Sequence, residues 1–255
     1  MSLARTALRL AAIEALKSHP VIAARCPGRI YDSRIGDFQH REPVPVIIVT
    51  TEELHGEPWN PQNGGGPWND ACDLVLEIAQ TAFVETDDGP FLFRPETDRE
   101  LEAALDLLEE CADWMVTQGR VHPWARTRTP AGRLLIEAVT RRVVKRTSSR
   151  FASDDTGSKL AIHLLTFRVQ IKGEDTAGRT PPTGPFASLP DPLRTVAASM
   201  PADSSGLLTC QMIAAELAAA LDPPPTPPAS GPATPPDPVP GTLPVEVDAD
   251  LSQGA

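Results

Sequence analysis

The run of β-branched residues in PVPVIIVTTEE, at positions 43–53, constrains the fold more than any other feature of this sequence. It is the only place where apolar β-branched residues follow one another without an intervening charge. In an extended chain, the apolar residues from Val44 to Val49 would point to both faces of a sheet. A strand that is apolar on both faces is covered on both sides, so the run predicts a buried central strand.

Other segments around this run show helical or strand periodicity. Apolar residues at helical spacing predict an amphipathic helix over 3–17, whose internal charges argue against a signal peptide or a membrane span. Residues 29–35 predict a short strand. The alternation of apolar and polar residues over 70–84 predicts a half-buried strand, antiparallel to the central one.

A long segment at 52–70 separates the two longer strands and carries three consecutive glycines, three prolines and two tryptophans. It lacks the Gly-Lys-Ser/Thr sequence of a phosphate-binding loop. It predicts either a mobile hairpin tip or an adhesive arm in which Trp59 and Trp68 dock on a neighbouring subunit. Both interpretations stay open at the level of sequence.

The clearest helix signal lies between Thr97 and Gly119. Thr97 is placed to cap the helix with Glu100 three residues later, and an apolar stripe at helical spacing runs down to Met115. The opposite face carries five acids, Glu102, Asp106, Glu109, Glu110 and Asp113. This spacing would also suit a pair of catalytic carboxylates, but a solvated acidic face is the favoured interpretation.

Residues 139–151 and 159–172 predict a closing β-hairpin, preceded by a short helix that opens at the Thr-Pro sequence of 129–130. Odd positions of the second strand are apolar except for His163. A histidine on an apolar face is more often a hydrogen-bonded core residue than a ligand. The pattern therefore predicts a buried, structural His163.

Basic residues concentrate in the segment 120–150, which carries nine cations against the single acid Glu137. Those in the first hairpin strand are Arg141, Arg142, Lys145, Arg146 and Arg150. Such a cluster attracts an anion. Three partners would satisfy it: DNA phosphates, the acidic helix face of a neighbouring copy, or water alone. No aromatic stacking platform or helix-turn-helix accompanies the cations, so a protein partner is favoured over DNA.

The C-terminal part of the chain has a different composition. Of the 28 prolines, 17 lie at or after Pro181, and no Lys or Arg follows Arg194. Such a composition cannot bury enough apolar surface to offset the entropy of ordering. It predicts a globular domain over 1–173, a linker over 174–204, and a Pro-rich, acidic, largely disordered tail over 223–255.

One short helix interrupts this C-terminal part. Leucines and alanines at helical spacing predict it over 205–222, with Ser205 as its cap. A helix of this length is marginal alone. It would dock on a partner protein, pack back on its own subunit, or form only transiently.

Signatures of enzymes are missing from the sequence, which contains no nucleophile elbow, no HExxH and no GKS/T. The four cysteines, Cys26, Cys72, Cys111 and Cys210, are widely separated and form no CxxC pair. They predict reduced, buried thiols rather than a metal site or disulfides. We therefore expect a protein that is not an enzyme, with no catalytic residues, no metal and no cofactor.

In chain order, the predicted elements are a helix, a short strand, the apolar strand, a long loop, the alternating strand, the capped helix, a short helix and a β-hairpin. The chain resembles the tail terminator and tail-completion proteins of lambda-type long-tailed phages over residues 1–173. The resemblance is carried by this order and by the segments LRLAAIEAL, RIYDSRI, PVPVIIVTTEE, DLVLEIAQTAFV, LEAALDLLEECADWM and TPAGRLLIEAVTRRVVKRTSSRFASDDTGSKLAIHLLTFRVQIK.

The resemblance implies an α/β (α+β) fold with a small mixed, mainly antiparallel sheet flanked by helices. It implies a structural virion protein, assembled in the host cytoplasm into a ring of six copies at the head-proximal end of the tail. The ring would stop growth of the tail tube and provide the head–tail joining surface. Its partners would be further copies, the tube protein and the connector or neck protein; genomic DNA would pass through the lumen without specific binding, and no membrane is involved.

Two alternatives stay open beside this expectation. The chain could be a neck or head-completion connector, or a DNA-binding module that uses the basic segment 120–150. For a ring, we expect the acidic helix faces and the basic hairpins to meet between neighbouring subunits.

Overall fold

The computed structural model describes residues 2–33, 44–58, 60, 62, 68–81, 97–153, 160–173 and 182–221. The helices are α1 (Ser2–Lys17), α2 (Pro20–Arg25), α3 (Asp98–Gln118), α4 (Pro130–Arg133), which continues into a π-helical segment (Leu134–Val139), α5 (Leu193–Ser199) and α6 (Ser205–Leu221). The strands are β1 (Ile30–Asp32), β2 (Val46–Pro58), β3 (Trp68–Thr81), β4 (Thr140–Ser153) and β5 (Leu160–Ile171). The predicted combination of a mixed, mainly antiparallel sheet with flanking helices is confirmed.

The five strands form one sheet in the order β1-β2-β3-β5-β4. β1 runs parallel to β2, and the other three pairings are antiparallel. Residues 46–49 of β2 are buried on both faces, as predicted. The prediction that this strand is central is wrong, because β3 occupies the middle position. Burial on both faces requires cover above and below a strand, and it does not require the central place in the sheet.

The helices pack on one face of the sheet. Ile47 and Val49 of β2 point to this face and join a large core that extends from Ala4 in α1 to Ala214 in α6. The other residues of this part of β2, Val46 and Ile48, form a smaller buried cluster on the opposite face. Alternation along the strand therefore gives the sheet a helix-covered face and an opposite face, called here the second face.

The helix predicted at Thr97 is α3. The side-chain oxygen of Thr97 accepts a hydrogen bond from the backbone of Glu100, and the Glu100 carboxylate accepts one from the backbone of Thr97, at 3.3 Å each. This reciprocal capping box satisfies two donors of the first turn. Gly119 ends the helix in the left-handed conformation, and the predicted apolar stripe is buried against the sheet.

The closing hairpin forms as predicted, from β4 and β5. Odd positions of β5, from Ala161 to Ile171, face the helices and are buried. Before the hairpin, the Thr129 hydroxyl accepts a hydrogen bond from the backbone of Gly132 at 2.9 Å and caps α4. The short helix then continues in π-helical geometry up to the start of β4.

Both ends of the long segment at 52–70 are strand, over 52–58 and 68–70. β2 and β3 stay paired as far as Pro58 opposite Trp68, with a bulge between Thr51 and Leu54. The prediction that the loop begins at Glu52 is therefore wrong, because the strand continues past the apolar run into polar sequence. Trp59 and the three glycines lie outside the described residues.

The prediction of a linker over 174–204 is wrong for residues 182–204. Leu189, Leu193 and Val196 are buried in the main core, and α5 packs against α1 and the π-helical segment. The helix α6 forms where expected and packs back on its own chain through Cys210 and Ala214. The globular part therefore extends well beyond residue 173.

The start of α6 also differs from the prediction. The hydroxyl of Ser204, and not that of Ser205, accepts a hydrogen bond from the backbone of Gly206 at 3.2 Å. The same hydroxyl donates to Glu14 of α1 at 3.1 Å. Ser204 is buried, so it links the beginning of α6 to the body of the protein. The Pro-rich tail predicted at 223–255 lies outside the described residues.

Candidate interaction surfaces

Acids of α3 and cations of β4 meet within one chain. Arg150 donates from Nε to Oε1 of Glu102 at 2.8 Å, and Arg146 Nη1 lies 2.8 Å from Oδ1 of Asp113. The Arg150 hydrogen bonds hold the pKa of the Glu102 carboxyl below its usual range. The expectation that these acids and cations meet between neighbouring subunits is corrected here, because α3 lies over the same sheet that ends in β4.

His163 lies under the same helix. Its Nδ1 is 2.8 Å from Oε2 of Glu109, and its Nε2 is 3.5 Å from Oε2 of Glu102. Only 6% of the side chain is exposed. The prediction of a buried, hydrogen-bonded histidine is confirmed. Of the five predicted acids, Asp106 and Glu110 are exposed, so the expected solvated face is reduced to these two.

The first three cations of β4 remain on the surface. Arg141, Arg142 and Lys145, called here the basic end of β4, are all exposed. Arg141 Nη1 donates to Oδ1 of Asn69 at 3.0 Å, and Arg142 Nε donates to Oε1 of Gln170 at 2.8 Å. Both of these acceptors are uncharged amides, so neither hydrogen bond neutralises the positive charge.

On the side of the sheet away from β4, strand β2 carries three exposed acids that sequence reasoning did not single out. Glu52, Glu53 and Glu57, called here the acidic edge, follow the apolar run directly. β1 pairs with β2 only as far as Val49. Beyond that residue, no strand in the described part of the chain covers the outer side of β2. The clue in the sequence was TTEELHGEP, in which a strand continues into charged residues.

The last residues of β2 and the first of β3 form a projecting arm. Residues 56–58 pair with 68–70, whereas the pairing of β3 with β5 begins only at Ala71. Trp68 is the first residue of β3 and belongs to this arm, and it is 46% exposed. This exposure is compatible with the adhesive arm considered above; docking by Trp68 stays a prediction, and Trp59 lies outside the described residues.

On the second face of the sheet, one charge of β3 is paired with one charge of β5. Arg168 donates from Nε and Nη2 to the two carboxylate oxygens of Asp73, at 2.8 Å each. These hydrogen bonds lower the pKa of Asp73. Arg168 also lies 3.5 Å from Glu53, which in turn is 2.9 Å from Nε2 of His55. Within the acidic edge, Glu53 is therefore already engaged, whereas Glu52 and Glu57 form no ion pair with another described residue.

A groove of about 560 Å³ lies between α1, α4 with its π-helical segment, and the end of α5. Its ionisable residues are Glu14, Arg133 and Glu137. Glu14 is bound by Lys17 and Ser204, and Glu137 by Arg128. The groove therefore offers structural ion pairs rather than an activated nucleophile or base.

The four cysteines are free and buried, as predicted. Burial raises the pKa of Cys26 to about 12 and that of Cys72 to about 11, which suppresses the reactive thiolate. In the part of the chain that the structure describes, no group of three or more His, Cys, Asp or Glu residues could hold a metal ion.

The helices of the described ranges include none long and apolar enough to cross a membrane. No protein-family model matches the chain, and no curated protein matches it at a significant level.

Proposed function

We propose that this protein is a structural component of a phage tail, forming a ring that ends the tail tube and joins the tail to the head. The observation that carries the proposal is the order of elements. Apart from the additional short helix α2 after α1, the chain runs α1, β1, β2, β3, α3, α4 with its π-helical segment, β4 and β5, which follows the order on which the resemblance to tail terminators rests. The number of six copies follows from that resemblance.

The polar chemistry of the described residues supports an assembly role over catalysis. The buried or half-buried charges of α3, β4 and β5 are engaged in ion pairs, as in Arg150 with Glu102 and Arg168 with Asp73. Exposed charges remain at the acidic edge of β2 and the basic end of β4, and also on α3 at Asp106 and Glu110. Charge arranged in this way directs association between proteins more readily than it activates a substrate.

A role in binding DNA receives less support. Arg146 and Arg150 were two of the five cations expected to contact phosphates, and both are neutralised by acids of α3. Of the five cations of β4, three remain exposed and outside these ion pairs with α3, at the basic end of β4. We expect little binding of duplex DNA at moderate salt; tight binding that falls steeply with added salt would favour the nucleic-acid function instead.

The test of the proposed function is electron microscopy of particles made by the parent phage after deletion of this gene. We expect unattached tails of abnormal, uncontrolled length, and a plasmid copy of the intact gene should restore normal particles. Tails of normal length beside unjoined, filled heads would assign the protein to the neck instead. Intact infectious particles would remove it from assembly altogether.

A further inference from the structure

The edge formed by β4 and the edge formed by the end of β2 carry opposite charges at the same level along the strands. Across the sheet, His55 of β2, Ala71 of β3, Gln170 of β5 and Arg142 of β4 form one row of paired residues. The acid Glu57 lies two residues above this row on β2, on the same side of the sheet as His55.

A second row gives the same relationship. Lys145 of β4 pairs with Arg168, which pairs with Asp73 of β3. On β2, the corresponding level is the bulge between Thr51 and Leu54, which contains Glu52. The basic end of β4 and the acidic edge of β2 therefore lie level with each other on opposite sides of one subunit.

Among the described residues, no strand covers either edge where these charges lie. β4 is the last strand of the sheet, and β1 covers β2 only over Ile47 to Val49. Lower on β4, Arg146 and Arg150 are held by α3. The exposed cations Arg142 and Lys145 of β4 thus lie at the level at which β2 presents its acids.

We propose that copies of this protein associate head to tail, with the acidic edge of one copy against the basic end of β4 in the next. This contact rests on the proposed function, because it is the contact that would build the proposed ring. Contacts between two like edges are disfavoured, because β4 against β4 would oppose cations and β2 against β2 would oppose acids. A contact between unlike edges is heterologous; such contacts form a ring when the rotation between neighbours closes and an open filament when it does not.

The strand directions suit this arrangement. β2 and β4 run in opposite directions in the sheet, because three antiparallel pairings separate them. Consider a neighbouring copy related by rotation about an axis parallel to the strands. Its β2 would lie antiparallel to β4 of the first copy, without any displacement along the strands. Glu52 and Glu57 of that copy would then face Arg142 and Lys145.

Cations and bulges on an edge strand usually protect it against unspecific pairing. β4 has both, with bulges between Thr140 and Arg142 and between Val143 and Lys145. Such an edge rejects an ordinary strand but accepts one that carries acids at matching positions. The same residues would therefore exclude wrong partners and select the acidic edge.

Charge reversal in the full-length chain tests the contact. One variant combines Glu52→Lys with Glu57→Lys, and a second combines Arg142→Glu with Lys145→Glu. Sedimentation over a range of protein concentrations at low salt should show the wild type associating, and each variant alone should associate more than about tenfold more weakly. An equimolar mixture of the two variants should regain the oligomer, because each reversed edge then meets an unlike edge of the other variant.

The control variant combines Arg126→Glu with Arg133→Glu, which reverses two exposed cations that lie outside the strands. It should associate as the wild type does, and thermal unfolding should show that all variants are folded. A wild type that is monomeric at every concentration, variants that associate normally, or a mixture that stays monomeric would each overturn the contact. Such a result would reject this contact only. The gene-deletion phenotype tests the tail function separately.

Discussion

Gly119 and Gly132 lie back to back where α3 ends and α4 begins. A Cβ atom on Gly132 would be 2.3 Å from the carbonyl oxygen of Gly119, and one on Gly119 would be 2.5 Å from the carbonyl oxygen of Gly132. Gly119 also has a φ of +68°, in the left-handed region that favours glycine. This contact fixes the end of α3 against the segment that leads into β4.

We expect Gly132→Ala to lower the free energy of unfolding by about 3 kcal/mol, because the added methyl group meets backbone atoms that cannot rotate away. Denaturant unfolding measures this loss. The comparison is Gly28→Ala: Gly28 has a similar φ of +66° but nothing within 4 Å of its Cβ position, so the cost should be about 1 kcal/mol. Equal losses in the two variants would show that the backbone separates easily at the Gly119 contact.

Asp73 should contribute stability that depends on pH. The hydrogen bonds from Arg168 lower its pKa in the folded state, so its contribution is fully present above the unfolded pKa of about 4 and is lost as the pH falls through the lower folded pKa. Asp73→Asn should therefore destabilise the protein at neutral pH and approach the wild type in acid. Thermal unfolding of both proteins as a function of pH measures the difference, and a constant gap would contradict the assignment.

Glu77, four residues further along β3 and on the same face, should show the opposite sign. Burial raises its pKa, because desolvation disfavours the charged form. Stability is therefore reduced as the pH rises through the raised pKa. Glu77→Gln should be more stable than the wild type at neutral pH, and the advantage should vanish below about pH 4, where the carboxyl is protonated in both states. The same pH series measures it; a Gln variant that is less stable at neutral pH would contradict the burial effect.

Local signals predicted the elements that depend on neighbouring residues. Thr97, Glu100 and Gly119 mark both ends of α3 by backbone chemistry that operates within one turn. The alternation in β5 likewise predicted the burial of His163, because each residue's face follows from its position in the strand.

Other features depended on partners distant in sequence. The sequence showed the charges of Glu102 and Arg150 but not that they meet, since 48 residues separate them. Leu193 and Val196 lie among prolines, and composition averaged over such a window predicts a linker. Their burial depends on the surfaces of α1 and the π-helical segment, which no local pattern contains.

The cysteines should be unreactive in the folded protein. All four are buried, and burial raises the pKa of Cys210 to about 11, as it raises the pKa values of the other three. Titration with a thiol reagent near pH 8 should therefore detect no fast-reacting group until denaturant is added, and all four afterwards. A single thiol that reacts quickly under native conditions would show that one of these packing sites opens.

The C-terminal helices give a direct test of how far the globular part extends. Leu193 in α5 is fully buried, whereas Leu208 in α6 is 66% exposed. Leu193→Ala should lower the free energy of unfolding by about 3 kcal/mol, since it leaves a cavity in the main core. Leu208→Ala removes the same atoms from the surface and should change it by less than about 0.5 kcal/mol. If both substitutions are neutral, α5 is not part of the cooperative core and the linker interpretation returns; if both are costly, the face of α6 that carries Leu208 is covered in solution.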